Sequence, residues 1–181
     1  MAIQNFISKD PDTFLSIGEG QTQTYIALTF RFIEKALEIN KTSEHMLDGI
    51  VVMKVLMAML ENLGNGRINE ALPLIVRVCW GQLNLDLEKV AKNYTSMVLQ
   101  TVCMCFWYNS QLTFQVLDLE LHQTVTVFQR ILQSLPTLKH DFELRRVIFG
   151  FTAILATPIQ ALPAIVGQRL PDITKQLAML C

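Results

Sequence analysis

The feature that most constrains the fold is a succession of apolar stripes at helical spacing, separated by short turns. Apolar residues that recur every three to four positions line one face of an α-helix. The pattern predicts about eight helices, at about residues 21–39, 44–63, 68–82, 86–108, 109–119, 121–135, 141–156 and 162–180. Because the turns between them are short, consecutive helices are expected to run antiparallel. The sequence therefore predicts an all-α protein built from antiparallel helix pairs.

The lengths of these pairs indicate a repeat architecture. Corresponding helices are offset by about 40 residues, which is typical of HEAT and armadillo repeats. We expect residues 1–181 to form a single HEAT-repeat α-solenoid segment, preceded by a turn-rich stretch at residues 1–20 that contains Gly18 and Gly20. The mean hydropathy of +0.33 is high for a globular domain. Such a value is expected when the end of a solenoid packs against further repeats, because each repeat contacts its neighbours.

One stretch has the length of a membrane span. Residues 147–167 carry no charged side chain, and 21 residues of helix would cross a bilayer. Proline at positions 158 and 163 interrupts the stretch, and a residue that precedes proline is disfavoured in the helical conformation. We therefore expect two helices joined by a turn and no membrane insertion. An integral membrane protein built around residues 147–167 is the alternative, and it predicts that extraction requires detergent.

The sequence contains no recognisable constellation for catalysis or metal binding. The four cysteines have no zinc-site spacing and are expected to be buried, reduced thiols. His45, His122 and His140 have no partner one helical turn away. Nucleotide-binding loops, hydrolase elbows and metalloprotease motifs are also missing from the sequence. We expect neither enzymatic activity nor a cofactor, and a net charge of −1 without clustered basic residues argues against nucleic-acid binding.

The apolar helical positions and several turn residues resemble a known family. The chain is similar to the C-terminal HEAT repeats of the importin-β superfamily, the karyopherins, and is nearest to the branch of importin-seven and importin-eight. The similarity extends over most of residues 10–180. The segments that carry it are 25–28, 35–37, 48–49, 54–56, 64–68, 71–74, 106–109, 146–153, 159–163, 167–168 and 170–171.

This resemblance implies a C-terminal fragment of a longer nuclear transport receptor. The implied partners are protein cargo, Phe-Gly nucleoporins and the small GTPase Ran, with Ran bound mainly by repeats outside this segment. The implied location is the nucleus, the cytoplasm and the nuclear pore, between which such receptors shuttle. The alternative is a HEAT-repeat scaffold or adaptor subunit of an unrelated complex, which would retain a fixed stoichiometric partner.

Five charged residues are candidates for partner binding. If the second helix of each pair lines the concave side of the solenoid, Glu70 and Arg77 of one repeat face a partner. Arg169, Asp172 and Lys175 of the last repeat would face it as well. The competing interpretation is that these are ordinary solvated positions on exposed helix faces.

Overall fold

A computed structural model describes residues 2–17, 23–39, 46–85 and 92–180. Within these ranges the regular secondary structure is helical, apart from one isolated antiparallel bridge between Ile17 and Thr24. The predicted all-α class is therefore confirmed for these ranges. The α-helices are α1 (Ala2–Lys9), α2 (Pro11–Leu15), α3 (Tyr25–Ile39), α4 (Met46–Asn62), α5 (Leu72–Leu83), α6 (Lys92–Phe114), α7 (Thr124–Ser134), α8 (Asp141–Leu155) and α9 (Ala164–Leu180).

Some of the predicted features lie outside the described residues. They are Gly18, Gly20, His45, Cys181 and the first residues of the predicted first, second and fourth helices.

The expectation of a turn-rich stretch at residues 1–20 is wrong for most of that segment. Two short helices, α1 and α2, occupy it. The Asp10 carboxylate accepts a hydrogen bond from the backbone amide of Thr13 at 3.1 Å, and Pro11 takes the first position of α2. Proline is favoured there because its missing N–H has no partner at a helix start. Ile7 and Phe14 are fully buried, and α1 packs on α4, so packing stabilises helices too short to persist alone.

The helices α4, α6 and α8 stack side by side and form the main layer of the molecule. Residues 55–60 of α4 and 98–106 of α6 are buried without interruption, which requires neighbours on most sides of each helix. The backbones of α6 and α8 approach each other closely at Gly150. A Cβ added to Gly150 would lie 2.7 Å from the carbonyl oxygen of Cys103. The missing side chain at position 150 therefore sets the separation of these two helices.

A polar network joins the three helices of this layer. Gln100 of α6 is 2% exposed, and its amide oxygen accepts a hydrogen bond from Arg146 of α8 at 3.1 Å. Its amide nitrogen donates to Glu143 of α8 and to Ser96, each at 3.2 Å. Arg146 also forms an ion pair with Glu61 of α4 at 3.3 Å. The buried amide of Gln100 is thus satisfied on both sides, which removes the free-energy cost of burying it.

The other helices pack against the outer faces of this layer. α3 packs on α4, α5 packs on α6, and α9 packs on α8. Between α5 and α7, the guanidinium group of Arg130 lies 5.7 Å from the ring centre of Trp80. Arg130 also donates a hydrogen bond to the carbonyl oxygen of Leu83. One side chain of α7 therefore holds the C-terminal end of α5.

The predicted break at Asn109 is present as a kink within α6. Asn109 has the non-helical angles φ −157° and ψ 93°. Its side-chain oxygen accepts a hydrogen bond from the backbone amide of Leu112 at 3.1 Å, as an N-cap residue does. The predicted fifth helix thus starts where expected, but it continues directly from α6 and ends in a π-helical turn, Gln115–Glu120.

The uncharged stretch at residues 147–167 folds as two helices joined by a turn, as predicted. α8 ends at Leu155, a 3-10 turn covers Ile159–Ala161, and α9 begins at Ala164. In the four described ranges, no helix has both the length and the hydropathy needed to span a membrane.

Candidate partner-binding site

An apolar cleft lies between α7 and α9 and has a volume of about 90 Å³. Its floor is formed by Phe128 of α7 together with Val166 and Ile173 of α9, all of which are buried. Its walls are Val125, which is 46% exposed, and Ile165, which is 40% exposed. We refer to this feature as the α7/α9 cleft. It is a concave apolar surface open to solvent, as protein and ligand sites commonly are.

The floor of the α7/α9 cleft is supported from within the core. The ring of Phe128 stacks on the ring of Phe114, with 6.1 Å between centroids and 6° between planes. Phe106 lies against both rings, at 5.7 Å from Phe128 and 4.8 Å from Phe114. Since three aromatic rings from α6 and α7 fix one another, the floor of the cleft is a preformed surface.

Two of the predicted partner-binding residues line this cleft. Arg169 and Asp172 lie one turn apart on α9, and the guanidinium Nη1 is 2.7 Å from the carboxylate Oδ2. Both side chains are more than half exposed, so their ion pair contributes little to folding stability. The guanidinium group is therefore available to contact a ligand, including the face of an aromatic ring.

The structure places the other three candidates elsewhere. Glu70 lies in the turn before α5, and not within the helix as the predicted bounds implied. Arg77, on α5, forms an ion pair of 2.5 Å with Glu120 of the π-helical turn. Lys175 is exposed on α9, one turn after Asp172, and does not line the cleft. Of the five candidates, the cleft therefore brings together Arg169 and Asp172.

Sequence reasoning missed the apolar walls of the cleft, Val125 and Ile165. Each belongs to an apolar stripe of its own helix, and such stripes are normally assigned to the core. A single helix carries no signal for which part of its stripe the neighbouring helices leave uncovered. Only the separation of α7 and α9 shows that these two side chains border an open cleft.

The titratable groups of the interior have the properties of structural residues. Cys79, Cys103 and Cys105 are buried free thiols. Burial raises the pKa of Cys103 to about 12, and burial together with contacts to Cys79 raises that of Cys105. Thiols with raised pKa values are poor nucleophiles. Among the described residues, no group of three or more His, Cys, Asp or Glu side chains is arranged to hold a metal ion.

The start of α8 has a capping box. The backbone amides of Lys139 and His140 donate to the carboxylate of Glu143 at 3.0 and 3.1 Å. Burial alone would raise the pKa of Glu143, but these two hydrogen bonds and a third from Gln100 hold it below its usual value. Glu143 therefore fixes the start of α8 and also links it to α6.

Comparison with known proteins gives no significant match, whether with family models, curated proteins or solved structures. The functional argument therefore rests on the sequence of this chain and on its geometry.

Proposed function

We propose that this chain is a protein-binding segment of a HEAT-repeat solenoid that acts as a nuclear transport receptor of the importin type. Protein cargo and Phe-Gly nucleoporins are its proposed partners, and Ran GTPase acts mainly through repeats outside the segment. The resemblance of its helical positions to karyopherin repeats motivates this proposal. The α7/α9 cleft is the single structural observation that carries it.

The spacing of contacts between helices supports a repeat. Most side-chain hydrogen bonds that join different helices or their flanking turns connect residues 40 to 47 positions apart, close to the length of one HEAT repeat. The Arg146–Glu61 pair spans 85 positions, about two such lengths. In this arrangement α4, α6 and α8 are the second helices of successive repeats, and α5, α7 and α9 are the first. Arg77 on α5 and the candidates on α9 therefore lie on first helices, and not on the second helices that the sequence prediction assumed.

The α7/α9 cleft then lies between the first helices of two adjacent repeats. A closed cavity of about 150 Å³ holds one benzene molecule. The cleft has about 90 Å³ and is open on one side, so it suits a phenyl ring inserted with one edge in solvent. Arg169 at the rim is placed to contact the ring face. A flexible segment with isolated phenylalanines is a partner that matches this geometry.

Direct binding tests this proposal. The purified chain is applied to an immobilised Phe-Gly nucleoporin fragment and to the same fragment with every phenylalanine replaced by serine. We expect binding to the first fragment only. Val125→Asp is expected to weaken binding about tenfold, because the new carboxylate must lose water when a ring enters the cleft. Met179→Asp is the control, since Met179 is an exposed apolar residue of α9 that is 61% exposed and lies outside the cleft lining.

Three results would contradict the proposal. Equal retention on the phenylalanine and serine fragments would refute the proposed transport function. Equal loss of binding by Val125→Asp and Met179→Asp would refute the assignment of the binding site to the α7/α9 cleft. Stoichiometric co-purification with one fixed subunit, without binding to the Phe-Gly fragment, would favour the scaffold alternative.

A further inference from the structure

A second concave site, the polar trough, lies between the π-helical turn Gln115–Glu120 and the 3-10 turn Ile159–Ala161. It has a volume of about 240 Å³. Its floor contains the buried side chains of Phe114 and Leu162, and the amides of Gln111, Gln115 and Gln160 line it. The trough differs from the α7/α9 cleft because amide groups line much of it.

The backbone beside the trough has two uncommon features. The turn at 115–120 has π-helical hydrogen bonding, in which the amide of Leu121 donates to the carbonyl of Val116 at 3.0 Å. His122, the second residue after this turn, has a positive φ of 54°, which is uncommon for a residue other than glycine. Both features cost free energy and are found frequently at functional sites. The backbone at this end of α6 therefore departs from α-helical geometry.

The lining of the trough matches the main chain of an extended peptide. Each glutamine amide offers both a hydrogen-bond donor and an acceptor, as a peptide unit does. An extended segment has free N–H and C=O groups to pair with them, whereas a helix has already paired its own. Two aliphatic side chains stand on the turns that border the trough: Leu119 is 69% exposed and Ile159 is 65% exposed. They provide apolar contacts on both sides of a bound chain.

The negative charge of the trough favours a partner that carries a basic residue. Among the residues that the structure describes, Asp118 is the one ionisable residue that lines the trough, and its Oδ1 accepts a hydrogen bond from Thr124 at 3.1 Å. The neighbouring carboxylate of Glu120 is already paired with Arg77. With a net charge of only −1, the chain as a whole exerts little attraction on cations. A basic partner would therefore be recognised locally, by Asp118.

We propose that the polar trough binds an extended peptide segment that places one lysine or arginine at Asp118, with apolar residues beside it against Leu119 and Ile159. The glutamine side chains hydrogen-bond to the main chain of the segment. This site is separate from the proposed binding of Phe-Gly segments and does not depend on a transport function.

The test uses short immobilised peptides with a central proline, which prevents helix formation, and with apolar flanks. One position is varied among Lys, Arg, Gln and Glu. The purified full chain is expected to bind the Lys and Arg peptides about fivefold more tightly than the Glu peptide. Asp118→Asn keeps an oxygen that can accept from Thr124, and it is expected to abolish this preference. Asp48→Asn is the matched control, because it neutralises an exposed aspartate of α4 that lines neither the trough nor the α7/α9 cleft, and it is expected to retain the preference.

A second variant probes the main-chain contacts without touching the core. Gln160→Ala changes an exposed side chain and is expected to weaken the binding of every peptide about threefold, while the preference for Lys and Arg over Glu remains. Absence of binding to any peptide, or a Lys and Arg preference that survives Asp118→Asn, would overturn the proposal. Unchanged affinities in Gln160→Ala would overturn the main-chain contact. Because these peptides contain no phenylalanine, the outcome is independent of the Phe-Gly test.

Discussion

The contact between α6 and α8 at Gly150 predicts that Gly150→Ala destabilises the protein. The added Cβ would lie 2.7 Å from the carbonyl oxygen of Cys103, 2.8 Å from its Cβ and 2.9 Å from its Cα. An ordinary Cβ contact begins at 3.4 Å, so the two helices must separate locally by about 0.7 Å. A gap of that size forfeits roughly a quarter to a half of each dispersion contact beside it.

The expected magnitude follows from two opposing terms. Overpacking of a well-packed interior costs about 1–3 kcal/mol. Alanine is favoured over glycine within a helix by about 0.8–1 kcal/mol, which offsets part of that cost. The net loss is about 0–2 kcal/mol of unfolding free energy, which corresponds to a fall in Tm of up to about 8 °C for a protein of this size. Urea and thermal unfolding, followed by far-UV circular dichroism, measure both quantities.

Gly81→Ala is the matched control for this prediction. Gly81 is an exposed residue of α5, and an added Cβ there would have no atom within 4 Å. The same chemical change is therefore expected to stabilise the protein by about 0.5–1 kcal/mol. If Gly150→Ala raised Tm as Gly81→Ala does, α6 and α8 could not be in direct backbone contact at this point, and the reasoning would be refuted.

Two further predictions concern titratable groups. Burial would raise the pKa of Glu143, but hydrogen bonds hold it below its value in the unfolded chain. The ionised carboxylate therefore adds stability above about pH 4.3, and this contribution is lost as the pH falls through the pKa of the folded protein. Because solvent screens a partly exposed carboxylate, Glu143→Gln is expected to cost only about 0.5 kcal/mol at neutral pH and progressively less in acid. Urea unfolding at several pH values measures this difference in stability, and a difference that does not vary with pH would contradict the prediction. The second prediction uses a Cys181→Ser variant, in which the three buried cysteines are the remaining thiols. Because they are buried and the pKa of Cys103 is raised to about 12, these thiols are expected to react with an aromatic disulfide reagent more than about 100-fold more slowly in the native than in the unfolded protein. Fast labelling of the native protein would show that the thiols are accessible.

Part of this fold could be predicted because its signals are local. The 3.6-residue periodicity of the apolar residues identifies the helices, and proline at 158 together with the turn around it separates α8 from α9. The break at Asn109 was predictable for the same reason, since asparagine caps a new helix with its own side chain. The helices at residues 2–15 also carry local signals, because Ile3, Phe6 and Ile7 lie at helical spacing and Asp10 followed by Pro11 is typical of a helix start. They were missed because helices of eight and five residues are too short to persist without the tertiary contacts that stabilise them.

The candidate site was only partly predictable. Arg169 and Asp172 could be identified from the sequence, because charged residues on an otherwise apolar helix mark its exposed face. The cleft that they border could not be identified, because an open groove depends on the separation of two helices that are distant in sequence. The polar trough is a similar case: the residues that line it come from the end of α6 and from the turn before α9, and nothing local links them.

The sequence by itself determined the helical class, most of the turns and the absence of known catalytic motifs, because each depends on residues within a few positions of one another. Tertiary structure decided which apolar faces are covered and which remain open. It brought Gly150 against Cys103, placed Gln100 between Arg146 and Glu143, and left Val125 at an open cleft. These outcomes depend on distances between helices about 40 residues apart, and such distances are set by the packing of the whole layer.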